Sequence, residues 1–243
     1  MIENRLQENT KRDRNYYLEC IRPYLNGDAT TCSYCDKIDP LIIYRGRDFF
    51  ITVAIGAYMP GYIQLCSNAH RTSATGILDE EYSEFALLST AIRNSFFNVY
   101  GNNGICFEHG QAGMCLWKKN NFSSLCHHMH IHYLPISINI HECIKSIFPN
   151  FFVVHNIEEM ISVRRNILCS EPYLYYSPTP EMGYMYSVAD VDVPRQFLRH
   201  CVADKLGISE KADWCEYPGI EFYDQTKIDL SNAINEEVKK LVM

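Results

Sequence analysis

The segment His128-Met129-His130-Ile131-His132 constrains this chain more than any other. Imidazoles alternate with apolar side chains, and the two-residue period of a β-strand sends all three histidines to one face while Met129 and Ile131 point to the other. Such a strand has a chemical face and a core face. One histidine in a strand reads as an ordinary surface residue or a chance metal site. Three in register, followed by Tyr133-Leu134-Pro135, point to a built site.

The neighbouring sequence supplies elements for that strand to pack against. Gly104 to Glu108 reads as a second strand able to lie beside it, across a polar loop from Gly110 to Ser124. Leu41 to Ala54 reads as a hairpin turning at Arg45 to Asp48, and Tyr62 to Cys66 as a short strand after Pro60-Gly61. Asp79 opens a helix whose stripe of Tyr82, Phe85, Ala86, Leu88, Ile92, Phe96 and Val99 also takes in Ser89 and stops at Gly101. The opening stretch to Asn26 favours a helix lying on the main body, ended by Pro23 and Gly27. After Pro135 the character changes, with a strand-like Tyr173 to Tyr176, proline-rich turns at Ser177 to Pro180 and a helical run from Pro194 to Gly207.

The expectation is an α+β fold, an antiparallel sheet with packed helices and a smaller carboxy-terminal α+β subdomain. Its divisions are an N-terminal helical segment over 1–28, a catalytic domain over 29–136 and the subdomain over 137–243. With 47% apolar and 21% charged residues, the chain can bury a sizeable core. A net charge of -7 disfavours nucleic acid held by a basic surface, yet leaves a small anionic ligand open. The eleven cysteines, odd in number and irregularly spaced, suggest a reducing, cytoplasmic setting. Phe151 to Val154 is far short of the roughly 20 apolar residues that span a bilayer, so no membrane partner is expected. The oligomeric state is open, a homodimer included.

Cys32-Ser33-Tyr34-Cys35 has the two-residue gap that lets both thiolates meet one zinc ion, but no second such pair follows. Remaining ligands would come from elsewhere, with His70 and His128 as candidates. Two inert buried thiols are the alternative.

The motif from His128 to Pro135 resembles the signature of the histidine triad superfamily. The order of Cys32-Ser33-Tyr34-Cys35, Pro60-Gly61-Tyr62, the segment ending at His70, a long helix and a loop agrees with it over roughly Thr31 to Ile136. The resemblance implies a structural Zn2+ ion on Cys32, Cys35, His70 and His128. It implies His130 as a nucleophile that forms a nucleotidyl-histidine, with His132 beside the phosphate. The related uridylyltransferases have glutamine at that third position, so His132 leans toward hydrolases and phosphorylases. Glu108, His109 and Gly110 would lie near the nucleotide, and Ser124 sits where relatives have small or amide side chains donating to phosphate. A looser likeness to larger triad proteins covers Pro194, Gln196, Arg199 and Asp213-Trp214. Arg195 and Arg199, one helical turn apart, are then candidates to reach a polyphosphate, Arg199 the better one.

The expected activity is a nucleotide hydrolase cleaving a phosphoanhydride, phosphoramidate or phosphoester-linked nucleoside monophosphate. The alternatives are transfer of the nucleotidyl group to phosphate or a sugar phosphate, and a zinc-stabilised nucleotide-binding module without catalysis.

Overall fold

The computed structural model describes residues 14–26, 29, 31–111, 128–166, 171–188 and 191–243. Ser123 and Ser124 lie outside the described residues.

Among the described residues, eight antiparallel strands form one sheet in the order β1-β2-β3-β5-β4-β7-β8-β6. They are β1 (Ile42–Arg45), β2 (Phe49–Val53), β3 (Ile63–Ser67), β4 (Ile105–Gly110), β5 (His130–Leu134), β6 (Phe151–Val154), β7 (Tyr173–Thr179) and β8 (Met182–Ser187). The hairpin, the short strand and the two strands flanking the polar loop all appear, with β5 beginning at His130 rather than at His128. Strand β5 lies between β3 and β4, with Gln64 and Phe107 both opposite His132 and Cys66 opposite His130.

This register sorts the side chains. Ile131 and Tyr133 share a face with Ile63, Leu65 and Cys106, and that face buries helix α3 (Tyr82–Tyr100). Phe85 packs its ring 5.3 Å from Phe49, and the Tyr133 hydroxyl donates to Ser89 Oγ at 2.9 Å. Of the stripe predicted for this helix, Phe85, Leu88, Ile92 and Phe96 are buried, Tyr82, Ala86 and Ser89 are half-buried, and Val99 on the last turn is exposed. Ala91, Arg93 and Ser95 are buried outside that stripe, and Arg93 donates to Ser177 Oγ at 2.8 Å and to the Gly104 carbonyl at 2.5 Å. Its fork meets groups that come together only when β4 and β7 pair. Gly101, with φ of +77°, ends the helix in the left-handed conformation.

Helices α4 (His141–Ile147) and α5 (Ile157–Asn166) flank β6 in the chain, and helix α1 (Arg14–Asn26) runs through Pro23 rather than stopping there and buries Tyr17 and Ile21. The Tyr17 ring stands edge-on to Tyr223, 5.3 Å away, at the start of helix α7 (Tyr223–Val242), a long helix that the sequence reading did not identify. Helix α7 lies along α3, where Asn94 and Asn98 each donate to Glu237 at 3.1 Å.

The expected division at 136 meets a sheet that runs across it. Strand β7 pairs with β4 from Cys106 opposite Ser177 to Gly110 opposite Tyr173, and β8 and β6 continue outward. Residues beyond 136 therefore extend the first sheet instead of building their own. The run from Pro194 forms helix α6 only from Phe197 to Leu206, after Gln196 with φ of +55°. Arg195 is outside it and pairs with Asp213 at 3.4 Å, so the expected one-turn spacing from Arg199 does not arise.

Candidate functional site

Two clusters lie side by side on the histidine-bearing face of the sheet. The first is Cys32, Cys35, His70 and His128, whose ligand atoms all lie within 4.8 Å of one another. Cys32 precedes a single helical turn, α2 (Ser33–Asp36), which curls Cys35 back toward it. Both sulfur atoms to His128 Nδ1 measure 3.6 Å, Cys35 Sγ to His70 Nδ1 3.2 Å, and the two Nδ1 atoms 3.3 Å. A tetrahedral zinc ion with ordinary bond lengths sets sulfur–nitrogen edges of about 3.6 Å and nitrogen–nitrogen edges of about 3.3 Å. The donor set fits such an ion. His128 Nε2 donates to the Ser67 carbonyl at 2.8 Å, which leaves Nδ1 as the nitrogen that could meet a metal. Burial holds His128 down to about 4, and so in its neutral, ligating form. The same effect pushes the Cys32 thiol up to about 11, a penalty that a bound cation reverses.

The second cluster is His130 and His132. His130 Nδ1 donates to the His128 carbonyl at 2.6 Å, so the lone pair resides on Nε2. Its half-buried ring stacks on Tyr34 at 4.7 Å and 18°. Tyr34 is one of the two residues between the cysteines, so the turn that gathers the thiols also braces the second triad histidine. The ring of His132 lies 4.8 Å away, stacked on Phe107 at 4.6 Å. Its Nδ1 faces the Tyr62 hydroxyl at 2.8 Å and Gln64 Nε2 at 3.3 Å. Burial first, then His130 and Arg199, push its pKa well below the imidazole range, so the ring is neutral.

The other singled-out residues fall at different depths. His109 is partly buried; its Nε2 accepts the Leu198 N–H at 3.1 Å, tying β4 to α6. Burial, His130 and Arg199 push it down to about 3. Glu108, on the opposite face of β4, is buried, and its carboxylate accepts the Ala74 N–H at 2.8 Å and the Tyr173 hydroxyl at 2.6 Å. A Cβ at Gly110 would collide with the Tyr173 ring. These two fasten β4 to its surroundings.

Arg199 was expected to reach toward phosphate, but it is buried at 2% exposure. It donates to the Ala212 carbonyl at 2.9 Å, the Gly56 carbonyl at 2.6 Å and the Tyr62 hydroxyl at 2.9 Å. Its helix packs inward over β4, which turns the guanidinium behind His132. Tyr34, Tyr62, Gln64 and Phe107 were not singled out from sequence. Gln64 and Phe107 share the triad's face by strand alternation, a signal usable only once the pairing of β3, β4 and β5 is known.

Among the described residues no helix is long and apolar enough to cross a membrane. Neither a protein-family model nor a curated protein matches the chain. Among solved structures it is similar to a Hit-like protein involved in cell-cycle regulation from Bartonella henselae. That match has 12% identity and a TM-score of 0.30, over 46% of this chain and 71% of the other. It is also similar to a hypothetical histidine triad nucleotide-binding protein from Sulfolobus tokodaii strain 7, at 16% identity and a TM-score of 0.29 over 57% of this chain and 98% of the other.

Proposed function

We propose that this chain is a histidine triad nucleotide hydrolase that cleaves a nucleoside monophosphate from its leaving group through a covalent intermediate on His130. The observation that supports it best is the 2.6 Å bond from His130 Nδ1 to the His128 carbonyl, which fixes the tautomer and turns the Nε2 lone pair into the nucleophile. Nε2 attacks the α-phosphorus, a nitrogen–phosphorus bond forms, and the bond to the leaving group breaks with its electron pair. Water then attacks the same phosphorus, the nitrogen–phosphorus bond breaks, and the nucleoside monophosphate departs. An imidazole is unprotonated for much of its population near neutral pH, so the first step needs no separate base.

His132 acts on the phosphate as a neutral hydrogen-bond donor, and His109, on the same face of the sheet, lies toward the nucleotide. Zinc on Cys32, Cys35, His70 and His128 would have no open position for substrate and would serve to lock the triad strand to the amino-terminal turn. The described cysteines are all free thiols, in keeping with a reducing cytoplasm.

The test is single turnover with a panel of nucleotides labelled at the α-phosphorus. The expected result is an acid-labile adduct mapped to His130. His130→Ala should remain folded yet lose turnover by on the order of 10³-fold or more. Near-parental turnover in that variant would end the covalent mechanism, whereas an adduct on His109 or His132 would reassign the nucleophile.

A further inference from the structure

Tyr62, Gln64, His132 and Arg199 are all buried, and each polar atom they share must find its partner inside the protein. The guanidinium of Arg199 can only donate, and it donates to the Tyr62 oxygen at 2.9 Å. One acceptor site of the tyrosine oxygen is taken by arginine, and its single hydrogen is within reach of His132 Nδ1, 2.8 Å away. Gln64 agrees. Its Oε1 accepts the Tyr34 hydroxyl at 3.4 Å, so its amide nitrogen, 3.3 Å from the same Nδ1, is a second donor aimed there. Two groups able to donate converge on one ring nitrogen, an arrangement suited to a lone pair there.

From this geometry we infer that Tyr62, braced by Arg199, keeps the proton of His132 on Nε2 and thereby makes that nitrogen a standing hydrogen-bond donor on the triad face. Tyr62 and Arg199 are positioning residues, acting through His132. The brace is itself fixed, since Arg199 is anchored by the Ala212 and Gly56 carbonyls at 2.9 and 2.6 Å. Without it, the neutral ring would distribute its proton over both nitrogens. A Nδ1–H form would point an N–H at the tyrosine hydrogen and the glutamine amide. The double-protonated form is opposed by burial and by the positive charge of Arg199. What the donor acts on rests on the proposed phosphoryl chemistry; where the proton sits does not.

The experiment reads the proton directly. In long-range nitrogen–proton correlation spectra of the full ¹⁵N-labelled chain, with the His132 signals identified by their loss in His132→Gln, Nε2 of the parent should carry the proton. Tyr62→Phe removes one oxygen and keeps the ring that packs 5.0 Å from Tyr58. It should move the His132 pattern toward a mixture of tautomers and lower kcat at least about tenfold, with KM little changed. Arg199→Lys, which keeps the charge but loses the fork, should shift the same signals part of the way. A parent spectrum with the proton on Nδ1, or a folded Tyr62→Phe whose His132 pattern matches the parent, would overturn the inference. A chain that turns over no nucleotide would sink the proposed function and leave the spectra to decide this one.

Discussion

Gly56 shows how tightly single positions are specified around the triad. Its φ is +80°, its carbonyl accepts Arg199, and a Cβ there would collide with the Cβ of Trp214. Gly56→Ala is expected to cost about 1–3 kcal/mol through the strained backbone and the displaced tryptophan. A thermal melt at the parental midpoint would show that the close approach is dispensable. At this scale the sequence was legible wherever spacing alone implies geometry. The alternation at His128, His130 and His132 needs one strand, and the gap between Cys32 and Cys35 needs one turn. Tyr62 was illegible because its role depends on an arginine far along the chain, and Glu108 because its partners, Ala74 and Tyr173, belong to separate elements.

The α2 turn joins two jobs that are usually separate. It brings both thiols to His70 and His128, a group that could hold a metal ion, and lays Tyr34 on His130. Cys32→Ser combined with Cys35→Ser should abolish the roughly one equivalent of zinc expected per purified chain and lower thermal stability. Full zinc content and an unchanged melt in that double variant would remove the site. Among elements, the hairpin, α3 and the two strands beside the loop were readable because each is a local pattern of apolar periodicity and a stop signal. Helix α7 escaped because its buried positions, among them Tyr223, Thr226, Leu230, Ile234 and Glu237, mix polar with apolar residues. Its face is defined by α3, whose Asn94 and Asn98 satisfy Glu237.

Taken as a whole, the molecule should be sensitive to acid. His109 is held neutral in the fold down to about 3 and His132 is shifted the same way, whereas an unfolded chain protonates its histidines near 6.5. Above that value neither state takes up a proton and the groups contribute no slope. Between about 6.5 and 3 the unfolded chain binds more protons, so stability falls as pH is lowered. Melts at successive pH values should show this decline, and His109→Gln should make it shallower; an identical slope in that variant would remove His109 from the account. The boundary expected near Pro135 was read from a change in composition, which reports local character. The pairing of β4 with β7 joins residues on either side of that change, and no periodicity within either segment encodes it. This pairing also bears on synthesis, where domains form from the amino terminus as the chain emerges. All three triad imidazoles leave the ribosome while β4 still has an open edge and Arg199 has yet to be translated. The nascent protein thus holds all three imidazoles before it holds the brace behind His132, and these meet only when the last third of the chain docks.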